Sequence, residues 1–160
     1  MPPALNLRLA WILYLPGVCN VRRWLTEYIA HAFRNVELGS GMTIYEGESH
    51  DIYGDPNELR LATTAERIDW RRVPAVDLPR RYSALSFLDA AGFRFYTPAI
   101  MTMIVNDQDD QGMLTESFLF HLHRIRASCM VREKHYCMLY NSAQRATIIR
   151  FVKYMANNVR

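Results

Sequence analysis

LSFLDAAGFRFYTPAIM, Leu85 to Met101, crowds aromatic and aliphatic anchors, a glycine and a Thr-Pro pair into one short span. Gly92 reads as a turn residue within it. Thr97-Pro98 then reads as a helix start, because a threonine hydroxyl can cap free amides and the proline ring already holds the helical φ. The apolar run from Ile100 to Val105 predicts that this helix is largely buried. Phe87, Phe93, Phe95 and Tyr96 are expected to cement it against the C-terminal helix, since buried aromatics contribute the largest packing terms. The stretch reads as scaffold, and no spacing of nucleophile, acid, base or metal ligand elsewhere in the chain is strong enough to name a reaction.

On its C-terminal side, NDQDDQG from Asn106 to Gly112 has no apolar residue and must be a solvated connection. Leu114, Phe118, Leu122 and Ile125 recur at helical spacing beyond it, and a short element is expected between His135 and Tyr140. Asn141 or Ser142 caps a last helix with Ile148, Phe151, Val152 and Met155 inward and Arg145, Arg150 and Lys153 in water. On the N-terminal side, Pro74 and Pro79 break regularity, and Asp77 can cap a turn leading into Tyr82, Leu85 and Leu88. Asp55-Pro56-Asn57-Glu58 is a start signal: Asp55 as cap, Pro56 in the first turn, Glu58 closing a reciprocal box, and Leu61, Ala65 and Ile68 inward. Met42 to Tyr53 satisfies neither period well and is assigned to a helix. Asn20 caps an amphipathic helix with Val21, Leu25, Tyr28, Ile29 and Ala32 on one face. These signals predict a mainly α, compact multi-helix single domain over residues 21–160, with at most a small β-hairpin.

Half of the 160 residues are apolar, enough to build one ordinary core, and the net charge of +3 is too small to argue for nucleic acid on bulk charge. Arginine far outnumbers lysine, which suits fixed ion pairs. Cys19, Cys129 and Cys137 cannot all pair within one chain and fit no zinc or redox spacing, so a reducing cytoplasm is expected. The apolar run LAWILYLPGVC ending at Cys19 looks like a short signal core, but Pro16 interrupts it and no A-x-A site follows. It is too short to span a bilayer. Residues 1–20 are therefore expected to be an N-terminal extension or a buried strand.

Chemistry is thinly signalled. G-x-S-x-G, Walker, dinucleotide and H-E-x-x-H patterns are missing. His121 and His123 are two apart and diverge on a helix, so a surface histidine beside a packed one is preferred to a metal pair. Cys129, His135 and Cys137 lack a fourth ligand at usual spacing. Glu46, Glu48, Asp51 and Asp55, with Glu66, form a carboxylate group that could do acid-base work or hold a cation, against a solvated acidic edge with helix caps. Arg67, Arg71, Arg72, Arg80 and Arg81 flank Trp70 and Tyr82, as an RNA surface would, against surface guanidiniums around a core tryptophan. Asp107, Asp109 and Asp110, with Glu116 nearby, could dock on a basic partner surface, although the calcium-loop pattern is not met.

Asp51 followed by Tyr53-Gly54, then Glu66 and Trp70, then LSFLDAAGFRFYTPAIM, then SAQRATIIRFVKYM together cover about Val21 to Met155. In these segments the chain resembles a family of small bacterial proteins known only as a domain of unknown function. The resemblance implies a compact helical cytoplasmic protein and carries no catalytic residue across. The leading expectation is a noncatalytic protein-binding module, in its specific form an immunity-type protein occluding a cognate toxin, with Asp107, Asp109, Asp110 and Glu116 as contacts. No cofactor, metal or membrane span is expected. The alternatives are an enzyme built on the carboxylates and a nucleic-acid binder built on the arginines.

Overall fold

The computed structural model describes residues 19–130 and 139–158. Its helices are α1 (Cys19–Ala32), α2 (Ile44–Asp51), α3 (Pro56–Thr63), α4 (Asp77–Arg80), α5 (Ala90–Val105), α6 (Met113–Met130) and α7 (Ser142–Asn158). Two 3-10 turns, Trp70–Arg72 and Tyr82–Ser86, join them. Among the described residues there is no strand, and the helices form one compact domain, as the apolar spacing predicts. The apolar run before Cys19 and most of the short element from His135 lie outside the described residues.

Helix α5 is the spine, and it starts well before Thr97-Pro98. Asp89 is its cap, accepting the Gly92 N–H at 2.7 Å, and Pro98 lies inside the helix. An interior proline costs about 3 kcal/mol. Phe93, Phe95, Tyr96, Ile100 and Met101 are all buried on the two sides of it, and each contributes roughly 1.5–3 kcal/mol, so burial outweighs the proline. Thr97 is no cap; its hydroxyl donates to the Phe93 carbonyl at 2.8 Å and contacts Tyr140 Oη at 2.7 Å. Gly92 is no turn either. A Cβ there would sit 2.4 Å from the Met42 carbonyl oxygen, so the residue is glycine because another backbone passes against the helix.

Around this spine, α1 and α6 pack on α5, while α7 packs on α1. The aromatic path from α5 to the C-terminal helix runs through α6: Phe93 stacks on Phe118 at 5.9 Å, and Phe118 meets Phe151 edge-on at 6.0 Å. Phe87 does not belong to it, being 41% exposed on the 3-10 side. Val21, Ile68 and Val152, expected inside, are also exposed. Ile68 and Ala65 leave the helical frame because α3 ends at Thr63; Ala62 and Leu61 provide its inward contacts. Asn20 lies within α1 and is not its cap. The last helix is closed by Asn141, whose Oδ1 accepts the Gln144 N–H at 2.9 Å while Gln144 Oε1 accepts the Asn141 N–H.

Helix α2 packs on α3 and on the Tyr82–Ser86 turn, forming a flap on the bundle. Thr43 and Glu46 cap it reciprocally, and Tyr96 Oη accepts the Ile44 N–H at 3.0 Å, pinning its start to α5. Asp55 caps α3 as predicted, accepting the Asn57 N–H at 2.8 Å. Glu58 closes no box. It pairs with Arg81, whose Nε and Nη2 donate to its two oxygens at 2.7 and 2.8 Å while Nη1 donates to Asp77 at 2.7 Å. Asp77 is thereby drawn off any capping role, and it also accepts the Tyr45 hydroxyl at 2.7 Å. The Arg81 guanidinium lies 4.7 Å over the Tyr45 ring, so one buried cation clamps α2, α3 and α4.

Candidate functional site

Helix α2 ends in a way that exposes a side chain. Ile52 is its C-cap, and the Gly54 N–H donates back to the Ser49 carbonyl at 2.7 Å, which leaves Tyr53 at the left-handed position of a Schellman close. Glycine is the usual occupant there. Tyr53 has φ +59° and Gly54 φ +88°, and the Tyr53 side chain is fully exposed. A non-glycine residue held left-handed costs on the order of 1–2 kcal/mol, and this ring returns no packing to the core.

Beside Tyr53 lies an open groove of about 580 Å³, lined by Met42 and its loop, by Glu46 and His50 of α2, by Leu59 of α3 and by Asp89 at the start of α5. Leu59 in its lining is exposed, and the half-exposed Phe87 ring stacks on the lining residue His50 at 6.2 Å and 18°. Two carboxylates edge it, each held by backbone. Glu46 Oε2 accepts the Thr43 N–H at 2.6 Å and lies 3.5 Å from Arg67. Asp89 Oδ1 accepts the Gly92 and Met42 N–H groups. Arg67 is itself occupied, donating to the Gly39 and Gly41 carbonyls.

The other carboxylates of this region do not converge on a ligand. Among the described residues no three His, Cys, Asp or Glu side chains are grouped to hold a metal ion. Asp55 is the α3 cap, Asp51 faces solvent, and Glu66 accepts the Ile68 and Asp69 N–H groups, which hold its carboxyl below the usual range. Glu48 accepts from Ser83 at 3.0 Å, and burial, aided by nearby Asp51 and Glu58, pushes its carboxyl up. Burial and the bond to Asp77 raise Tyr45, and burial raises Tyr96 to about 12. Both phenols are buried and already engaged, Tyr45 with Asp77 and Tyr96 with the Ile44 N–H.

Trp70 is buried, with its Nε1 donating to the Phe33 carbonyl at 3.0 Å, so its ring cannot stack a base. Of the arginines around it, Arg81 is held by Glu58 and Asp77 and Arg71 by Asp69, Arg72 makes a looser surface pair with Glu66, and Arg80 is exposed. His121 packs against Phe93, its protonation disfavoured by burial and by Arg124, whereas His123 is exposed. Side chains at Cys129, His135 and Cys137 lie outside the described residues.

The acidic loop is partly consumed. Asp107, left-handed at φ +55°, pairs with Arg22, and Asp109 Oδ2 accepts the Thr115 N–H and hydroxyl at 2.8 and 2.6 Å, tying the loop to the start of α6. Asp110 and Glu116 face solvent. This loop and the groove sit at opposite ends of α5, whose 16 residues span about 24 Å. The groove escaped sequence reading because Met42 to Tyr53 satisfies neither period well and the lining is gathered from segments far apart in the chain. An aromatic directly before the closing glycine of a capped helix was the available signal.

Fold and site together define a helical domain with an open, aromatic-rimmed acidic groove. The chain belongs to the family of unknown function DUF6714, whose profile matches residues 22–160. No curated protein and no solved structure matches it. Among the described residues, no helix is long and apolar enough to cross a membrane.

Proposed function

We propose that this protein is a noncatalytic protein-binding module that engages its partner through the Tyr53 groove, in its specific form a bacterial immunity-type protein that occludes a toxin. The carrying observation is Tyr53 itself: a large ring, wholly exposed, in a backbone conformation that disfavours it. Tyrosine is enriched at the energetic centres of protein interfaces, where its ring is desolvated and its hydroxyl finds a donor or acceptor. The groove is open and its carboxylates serve as caps, so it supports a contact face better than an enclosed reaction site. Asp110 and Glu116, which face solvent, would act at long range by speeding approach of a basic partner.

The test is affinity capture from the native cell with wild-type and Tyr53→Ala baits. A stoichiometric companion held by the wild type and lost from the variant is expected. Equal recovery on both baits, with the variant folded, would remove the groove as the contact face. Release of the companion's activity by Tyr53→Ala would identify it as a toxin under control.

A further inference from the structure

We infer, resting on the groove as the contact face, that its occupant is a cationic segment of a protein partner that seats one apolar side chain between flanking arginines or lysines. Apolar surface is present in the lining at Met42, Leu59 and Tyr53, enough to desolvate a single large side chain in a trough of about 580 Å³.

Charge selects the rest. The chain as a whole carries +3, yet the groove is lined by the carboxylates of Glu46 and Asp89 beside the His50 imidazole. The Arg67 guanidinium that meets Glu46 is already occupied by the Gly39 and Gly41 carbonyls as well. Glu46 and Asp89 each use one oxygen to accept backbone N–H groups, so both are held in place with Glu46 Oε1 and Asp89 Oδ2 left for a donor outside the chain. Held acceptors lose little conformational freedom on binding a guanidinium or ammonium group.

The same charge disfavours the other occupants. A nucleic acid or an anionic lipid surface meets carboxylates here. A small molecule would stay largely in water in so open a trough. A second copy arranged about a two-fold axis would set one acidic groove against another.

The probe is a synthetic twelve-residue peptide with one central phenylalanine flanked by arginines in a Gly/Ser background. It is compared with a glutamate-flanked version and a version with glycine for phenylalanine, each titrated into the isotope-labelled full chain. Saturable amide shifts confined to residues 40–54, Leu59 and residues 87–89 are expected for the first peptide alone. Tyr53→Ala, and the double variant Glu46→Gln with Asp89→Asn, should each weaken it by about tenfold or more. Gln and Asn keep the oxygen that accepts the backbone N–H, so the double variant removes charge and keeps the caps. Absence of saturable binding at millimolar arginine peptide, equal binding of the glutamate peptide, or shifts elsewhere would overturn the inference.

The native companion separates the two levels of reading. Loss on Tyr53→Ala but full retention on the double variant would keep the groove and reject the cationic occupant, whereas retention on both would reject the groove itself. A dimer seen by sedimentation and abolished by Tyr53→Ala would make the occupant a second copy and overturn the inference.

Discussion

Replacing Arg81 by Met removes the guanidinium that joins three helices while keeping much of its apolar stem. Glu58 and Asp77, only 13% and 19% exposed, would be left facing one another's region without their cation. Breaking a fully buried pair by removing one partner costs about 3–5 kcal/mol, and the residual exposure here lowers that to about 2–4 kcal/mol. For a chain of this size that corresponds to a melting-point loss of about 6–12 °C. Urea titration and calorimetry of Arg81→Met measure it directly. Neutralising the stranded acids, with Glu58→Gln and Asp77→Asn added to Arg81→Met, should recover part of the loss, because the penalty lies in the uncompensated charges. The deficit should also persist in high salt, since a buried ion pair is poorly screened. A loss below about 1 kcal/mol, or no recovery in the triple variant, would refute the clamp as the element holding α2, α3 and α4 together.

Four further outcomes follow from the geometry. Gly92→Ala should destabilise by about 1–3 kcal/mol or more in urea, because its Cβ meets the Met42 carbonyl oxygen and backbone has to move. Tyr53→Gly should leave stability unchanged or raise it by up to about 1 kcal/mol while abolishing partner capture, separating a contact residue from a structural one; a clear loss of stability would contradict that assignment. Glu48 has its folded-state carboxyl raised by burial, so its effect weakens the fold as pH rises through that raised value and vanishes below the ordinary carboxylate range. Glu48→Gln should accordingly raise the melting point at pH 7 and leave it unchanged near pH 3. Asp109→Ala should cost roughly 0.5–2 kcal/mol through the lost cap on α6, whereas Asp110→Ala should be silent in the same melt.

Features that act over a few residues were legible in the chain. Asp55-Pro56 and Asn141 were readable because each cap satisfies an N–H two or three positions away, and the stripe of Leu114 and Phe118 because side chains four apart share a helix face. Class and domain follow from such short-range rules, and the mainly helical fold was foreseen on that basis. Thr97-Pro98 misled because the same local rule was correct and overruled: burial of aromatics on both sides of Pro98 made the longer helix the better solution. The role of Gly92 depends on a carbonyl 50 positions earlier in the chain, and the partners of Glu58 on an arginine 23 positions later. No periodicity encodes either distance. The groove is of the same kind, since Met42, His50, Leu59 and Asp89 come from four separate segments. Helix caps and stripes are set by neighbours along the backbone; which carboxylates are neutralised, which glycine is crowded and which tyrosine is left in water depend on the surfaces that folding brings together.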